Sequence, residues 1–141
     1  MKEVDALIYS RLTNDSGIIS LMGGSANRIK YGFQRNVKLV PLLTFFQFSA
    51  TPGNVTGNFA RTWEYFYQFT VFDKQYPEIL SRLKRLFDGH VFTISGSYEE
   101  IGSVYSLWDW EGVESHEEGL ETTRKDTRYR FLVVPKAQDP I

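Results

Sequence analysis

The sequence predicts an α+β fold: a mostly antiparallel β-sheet with two main helices packed on one face. Three observations predict it. Residues 61–72 alternate strictly, the period of a strand: Trp63, Tyr65, Tyr67, Phe69 and Val71 share one face, and Thr62, Glu64, Phe66, Gln68, Thr70 and Phe72 the other. Residues 77–87 switch to helical spacing, with Ile79, Leu80, Leu83, Leu86 and Phe87 extending a stripe begun by Tyr76. The element order, α(α)-ββ-α-βββ, lacks the strand–helix alternation of a doubly wound parallel sheet.

Each element follows from local chemistry. Val4, Leu7, Ile8 and Leu12 recur at helical spacing, and Asn14-Asp15 ends that helix. Ser16 is placed to cap a second short helical turn carrying Ile18, Ile19, Leu21 and Met22, which Gly23-Gly24 breaks. Residues 25–40 read as irregular, with one short strand near 28–33. Pro41 opens the strand Leu42-Leu-Thr-Phe-Phe-Gln-Phe48, and residues 51–58, rich in Pro, Gly, Asn and Thr, read as a loop before the strand 61–72. In the helix 77–87, Pro77 suits the first position, Glu78 favours the first turn, and Asp88-Gly89 stops it. Strands follow at 90–95, 101–110 and 122–134, with a polar loop at 111–121. A single domain spanning residues 1–141 is expected, its tail loose from about 135.

Composition narrows the function. The chain has 141 residues, near the commonest size for one domain. A chain of about 150 residues buries roughly 70% of its unfolded surface. Lys and Arg number 16 against 17 Asp and Glu, so no long-range field draws nucleic acid or anionic lipid. There is no cysteine, which excludes disulfides, thiol catalysis and cysteine-ligated metals. No apolar run approaches the ~20 residues that span a bilayer. No apolar segment follows the charged start Met1-Lys-Glu-Val-Asp5, so production in a cytoplasm is expected.

Candidate chemistry is sparse. Of the two histidines, His90 fits a surface or cap role, and His116 lies in Glu114-Ser-His-Glu-Glu118, which lacks ligand spacing. Glu99-Glu100 and Glu117-Glu118 are adjacent pairs, which on a strand point to opposite faces. Asp109 and Glu111 beside Trp108 and Trp110 form the most enzyme-like grouping, although a loop packing on its own tryptophans accounts for it. Neither a phosphate-binding loop nor a nucleophile elbow is present. The expectation is a protein that is not an enzyme, with no cofactor, no metal and no small-molecule substrate.

Two patterns point instead to assembly. The sheet is apolar on both faces, since Phe46, Phe48, Phe66 and Phe72 also need burial, and two short helices cover one face only. A neighbouring copy is the cheapest cover for the other. Charge is also split: Glu111, Glu114, Glu117, Glu118 and Glu121 precede Arg124, Lys125, Arg128 and Arg130. This is either a salt-bridge ladder within the hairpin or a head-to-tail contact between subunits.

The layout resembles the tail-terminator, or tail-completion, proteins of long-tailed bacteriophages. The resemblance runs through Ala6-Leu-Ile-Tyr-Ser-Arg-Leu12, Gly17-Ile-Ile-Ser-Leu-Met-Gly-Gly24, Arg28-Ile-Lys-Tyr-Gly32, Pro41-Leu-Leu-Thr-Phe45, Phe66-Tyr-Gln-Phe-Thr-Val-Phe72 with the helix after it, and Arg124-Lys-Asp-Thr-Arg-Tyr-Arg-Phe-Leu-Val133. The Trp108-Asp-Trp-Glu-Gly112 block matches no motif of that family. The resemblance implies a virion protein of the tail or neck, made in the host bacterial cytoplasm. It would form a homo-oligomeric ring, commonly a hexamer, that caps the tail tube and joins it to the head connector, with double-stranded DNA passing through the lumen. Near-neutral charge suits such a channel. Interface candidates are Asn54, Phe59 and Arg61 on one loop, Trp110, Glu111, Glu114, Glu117 and Glu118 around the other, and Arg124 and Arg128 on the basic strand. Glu114, Glu117 and Glu118 are also the lumen-facing candidates. Competing readings are another neck or connector component, a small binding module built on residues 108–111, and nucleic-acid binding through Arg61, Arg124, Lys125, Arg128 and Arg130.

Overall fold

The computed structural model describes residues 2–32, 39–55, 61–93, 101–117 and 122–135. Three helices, α1 (Lys2–Thr13), α2 (Ser16–Leu21) and α3 (Tyr76–Phe87), accompany seven strands: β1 (Ile29–Tyr31), β2 (Leu42–Val55), β3 (Arg61–Phe72), β4 (His90–Thr93), β5 (Ile101–Glu111), β6 (Ser115–Glu117) and β7 (Thr122–Pro135). A short 3-10 turn, Ala26–Arg28, leads into β1. The sheet order is β1-β2-β3-β7-β5-β4, with β6 adding to β7. All described pairings are antiparallel except β1 with β2.

The period-2 reading of β3 holds throughout its pairing with β7, which runs without a register shift from Trp63↔Val133 to Phe72↔Arg124. One face of this pair forms the core. Leu43, Phe45, Tyr67, Phe69, Val71, Val104, Tyr129, Phe131 and Val133 pack against Val4, Ile8 and Leu12 of α1, Ile18 of α2, and Ile79, Leu83 and Phe87 of α3. All three helices therefore lie on this helix face, as helices must to bury a one-sided stripe. Phe87 is its keystone, with ring centroids 5.5 Å from Phe69, 5.9 Å from Phe131 and 6.0 Å from Tyr129. Two polar groups reaching this core are partnered: the Tyr67 hydroxyl donates to Asp5 of α1 and the Ser106 hydroxyl to the Phe87 carbonyl. Burial raises the Tyr67 and Tyr129 hydroxyl pKa values well above the ordinary tyrosine range, so both stay protonated.

Several boundaries differ from expectation. The N-cap of α2 is Asp15 rather than Ser16; its carboxylate accepts from the Ile18 N–H at 2.9 Å. Arg82 of α3 grips the same carboxylate, Nε to Oδ2 at 2.7 Å, so one aspartate ties two helices together. The segment 51–55, read as loop, continues β2, whose pairing with β3 reaches Pro52↔Trp63 and Val55↔Arg61 across two register shifts. A proline fits there because β1 covers only Leu43–Phe45, leaving β2 an edge strand at Pro52. Within the polar loop 111–121, β6 pairs with the start of β7, from Ser115↔Arg124 to Glu117↔Thr122. The strand expected over 90–95 is described to Thr93; residues 94–95, the Glu99-Glu100 pair and the tail beyond 135 lie outside the described residues.

Candidate assembly surface

The opposite, open face of the sheet receives no helix among the described residues. Cross-strand register assembles it from Phe46 and Phe48 on β2; Glu64, Phe66 and Gln68 on β3; Arg124, Asp126, Arg128, Arg130 and Leu132 on β7; Tyr105, Leu107 and Trp110 on β5; and Val91 on β4. Part of it is roofed by its own arginines. Arg124 lies over Phe72, guanidinium carbon 5.9 Å from the ring centroid, and pairs with Asp126 at 3.3 Å. The Thr70 hydroxyl donates to the same Asp126 carboxylate at 2.8 Å. Long side chains spread over rings in this way exclude water without a second layer. The expectation that this whole face needs a foreign cover is therefore corrected for the Arg124 end.

The other end is different. Arg128 is held between two aromatic rings, its guanidinium carbon 4.4 Å from the centroids of both Phe48 and Trp110. Its Nε donates to Gln68 Oε1 at 3.1 Å. Both rings remain 40% exposed, and Val91, Tyr105 and Leu107 are exposed beside them. Arg130, between Phe66 and Leu107 in register, makes no ion pair among the described residues. Aromatic rings, aliphatics and arginine on one rigid sheet are the composition of interface hot spots.

A bulge in β5 decides which tryptophan belongs here. Register shifts between Trp108 and Trp110: Trp108 pairs with Tyr129, whereas Trp110 pairs with Arg128 and Glu111 with Thr127. Trp108 thus faces the helices, where Lys84 Nζ sits 4.5 Å from its ring centroid, and Trp110 faces the open side. The grouping of Asp109, Glu111, Trp108 and Trp110 is split across the sheet and forms no common pocket.

The charge split is answered in part inside the chain. Glu111 lies 3.9 Å from Lys125 on the helix face, and the Tyr76 hydroxyl donates to Glu114 at 2.9 Å, raising the Tyr76 pKa through that bond. With β6 paired to β7, the acidic segment lies beside its own basic strand and Glu111 meets Lys125 there, while Arg128 and Arg130 are left without an ion pair among the described residues, so the head-to-tail alternative stays open. The basic set weighed for nucleic acid is divided too, since Lys125 and Arg128 occupy opposite faces and Arg124 is neutralised by Asp126.

Trp110 and Arg128 come together on the open face, and Arg124 shares that face at its other end, over Phe72; Glu111 ends β5 and Glu114 lies in the turn after it. Asn54 and Arg61 lie on neighbouring strands at the far end of the β2–β3 hairpin, and Glu117 in β6. Phe59 and Glu118 lie outside the described residues. Gln68, Leu107 and Tyr105 were missed as site residues; Phe48, counted with Phe46, Phe66 and Phe72 among the rings of the second face, lies on that face beside Phe66 and Arg128.

A cleft of about 310 Å³ on the helix side is lined by Leu7, Arg11, Asp15, Leu86 and Phe92, among others. Its polar groups are already used: Asp15 on Arg82, Arg11 Nε on the Leu86 carbonyl at 3.3 Å, Asn14 on Ser10. His90 contacts the Arg85 carbonyl oxygen at 2.6 Å, a cap at the end of α3. No group of three or more His, Asp or Glu fit to hold a metal occurs among the described residues, and none of their helices is long and apolar enough to cross a membrane.

Among the described residues the geometry defines an α+β fold with one face of the sheet covered by helices and the other without one. No protein-family model and no curated protein matches the chain. A chain in the solved structure described as the virion of native gene transfer agent (GTA) particle shares the fold, with TM-score 0.63 and 10% identity over 90% of this chain and 91% of that one.

Proposed function

We propose that the protein is a structural subunit of a long-tailed phage or phage-like virion. It works by assembly and not by catalysis, as a homo-oligomeric ring at the end of the tail tube that joins tail to head connector. The observation that carries the virion part is the shared fold over nine-tenths of both chains with a component of a gene transfer agent particle. The end-joining role is supported by the pattern of helices and strands held in common with tail terminators. Self-association is supported by the open face, where Phe48, Trp110, Leu107 and Arg128 form an exposed aromatic and arginine surface on a stiff sheet. In this reading DNA crosses a lumen whose surface does not hold it, which suits a net charge of −1.

The test mixes the purified protein with tail tubes and, separately, with portal-filled heads of the particle that encodes it, followed by electron microscopy. Rings capping tube ends are expected. Binding to heads alone would move the protein to the connector side of the neck, and binding to neither would remove the reading.

A further inference from the structure

The turn after β5 carries a feature that local pairing leaves unused. Val113 is 89% exposed, the most exposed large hydrophobic side chain among the described residues. It stands between Glu111 and Glu114, whose carboxylates are steadied by Lys125 and by the Tyr76 hydroxyl. Gly112 beneath it is buried and anchored, its N–H donating to the Asp126 carbonyl at 2.8 Å. The Trp110 ring lies so close that a Cβ on Gly112 would meet it at 2.6 Å. The result is a knob anchored at Gly112: one apolar tip flanked by two partnered carboxylates.

The open face offers the complement. Exposed Leu107, Tyr105 and Val91 make an apolar floor, and Arg130 beside it has no ion pair among the described residues. Arg128 spends one N–H on Gln68, and its guanidinium, with five donors, has no ion pair among those residues. Of the acids on this face, Asp126 is taken by Arg124 and Thr70, leaving Glu64. Within one chain knob and floor do not meet. The knob is anchored beside residues 126–127 of β7, where Glu111 pairs with Thr127 and the Gly112 N–H meets the Asp126 carbonyl, while the floor lies along 130–132, opposite Leu107 and Tyr105.

We infer that the 111–114 turn of one copy docks on the Leu107–Arg130 region of the open face of the next, Val113 on the apolar floor and Glu114 against Arg130. The two surfaces differ, so the contact is heterologous, the type that closes into a ring when its rotation permits. The inference rests on the self-assembly reading above and names the residues of its subunit contact.

The experiment is light scattering over a concentration series on the wild type, Val113→Asp, Arg130→Glu and Glu114→Arg, with circular dichroism confirming the fold of each. Wild type is expected to associate, and each single variant to need at least about tenfold more protein to do so. An equimolar mixture of Arg130→Glu and Glu114→Arg is expected to recover association, because each mixed contact is either native or charge-swapped. Association of the variants equal to wild type overturns this contact while the ring reading stands on another surface. Folded single variants whose mixture stays dissociated overturn the Glu114–Arg130 pairing. A wild type monomeric throughout the series overturns the self-contact, and tube binding then decides the ring reading on its own.

Discussion

Replacing Arg128 by methionine, alone and combined with Trp110→Leu, measures how much the aromatic clamp on the open face is worth. The guanidinium carbon is 4.4 Å from each ring centroid. Because both rings are 40% exposed, each cation–ring contact falls at the lower end, about 0.5–1 kcal/mol. The charged hydrogen bond to the buried Gln68 amide adds roughly 1.5 kcal/mol. Methionine keeps apolar stem packing against the rings and recovers part of that sum, so Arg128→Met should cost about 2 kcal/mol. The double-mutant cycle with Trp110→Leu should return a coupling of about 0.5–1 kcal/mol. Urea unfolding followed by far-ultraviolet circular dichroism avoids a signal that depends on the missing indole. Arg128→Lys keeps the charge but loses the planar fork, and should fall between wild type and methionine. A coupling below about 0.2 kcal/mol would refute the reasoning, because ring and guanidinium would then be neighbours without mutual attraction.

Two further outcomes follow from the packing. Phe87→Ala empties the centre of an aromatic cluster in which Phe87 is fully buried, and should cost about 3–5 kcal/mol, roughly 10–20 °C in melting temperature for a chain of this size. A calorimetric loss below 1 kcal/mol would place that cluster outside the cooperative core. Asp15 has its carboxyl pKa held below the ordinary 3.8, first by the Arg82 hydrogen bond and then, against the opposing effect of burial, by the Ile18 N–H. A depressed folded-state pKa adds stability that is present above the unfolded value and lost as pH falls through the folded one. Stability of the wild type should therefore drop more steeply below about pH 4 than that of Asp15→Asn, and parallel acid-unfolding curves would contradict the helix-to-helix clamp.

The parts legible in the sequence are those where one period runs uninterrupted. β3 keeps register with β7 along its length, so alternation alone sorts Tyr67, Phe69 and Val71 from Phe66, Gln68 and Thr70. The α3 stripe is legible for the same reason: Ile79, Leu83, Leu86 and Phe87 all meet the sheet. The element order was legible too. Reading fails at bulges and edges. A single extra residue at Asp109 turns Trp110 away from Trp108, and no side-chain pattern announces it. Pro52-Gly53 carries turn chemistry but lies on an edge strand beside a register shift, where proline is tolerated. β6 is three residues long and polar, so only its pairing with β7 reveals it. The clamp around Arg128 draws Phe48, Gln68 and Trp110 from three other strands, a convergence that depends on register rather than on any local motif.

The β3–β7 pairing also sets the order in which the chain can become itself during synthesis. The central partner of β3 is translated only after α3, β4, β5 and β6 have emerged. Until then Tyr67, Phe69 and Trp63 hold an incomplete ladder with β2 alone, and an isolated hairpin of that kind is at best marginal in water. Such long-range closure slows folding and leaves a sticky aromatic edge waiting on the ribosome. Truncation anywhere before β7 thus removes the middle of the sheet rather than its rim, and a nascent chain halted there would be a substrate for chaperones, not a smaller version of the fold.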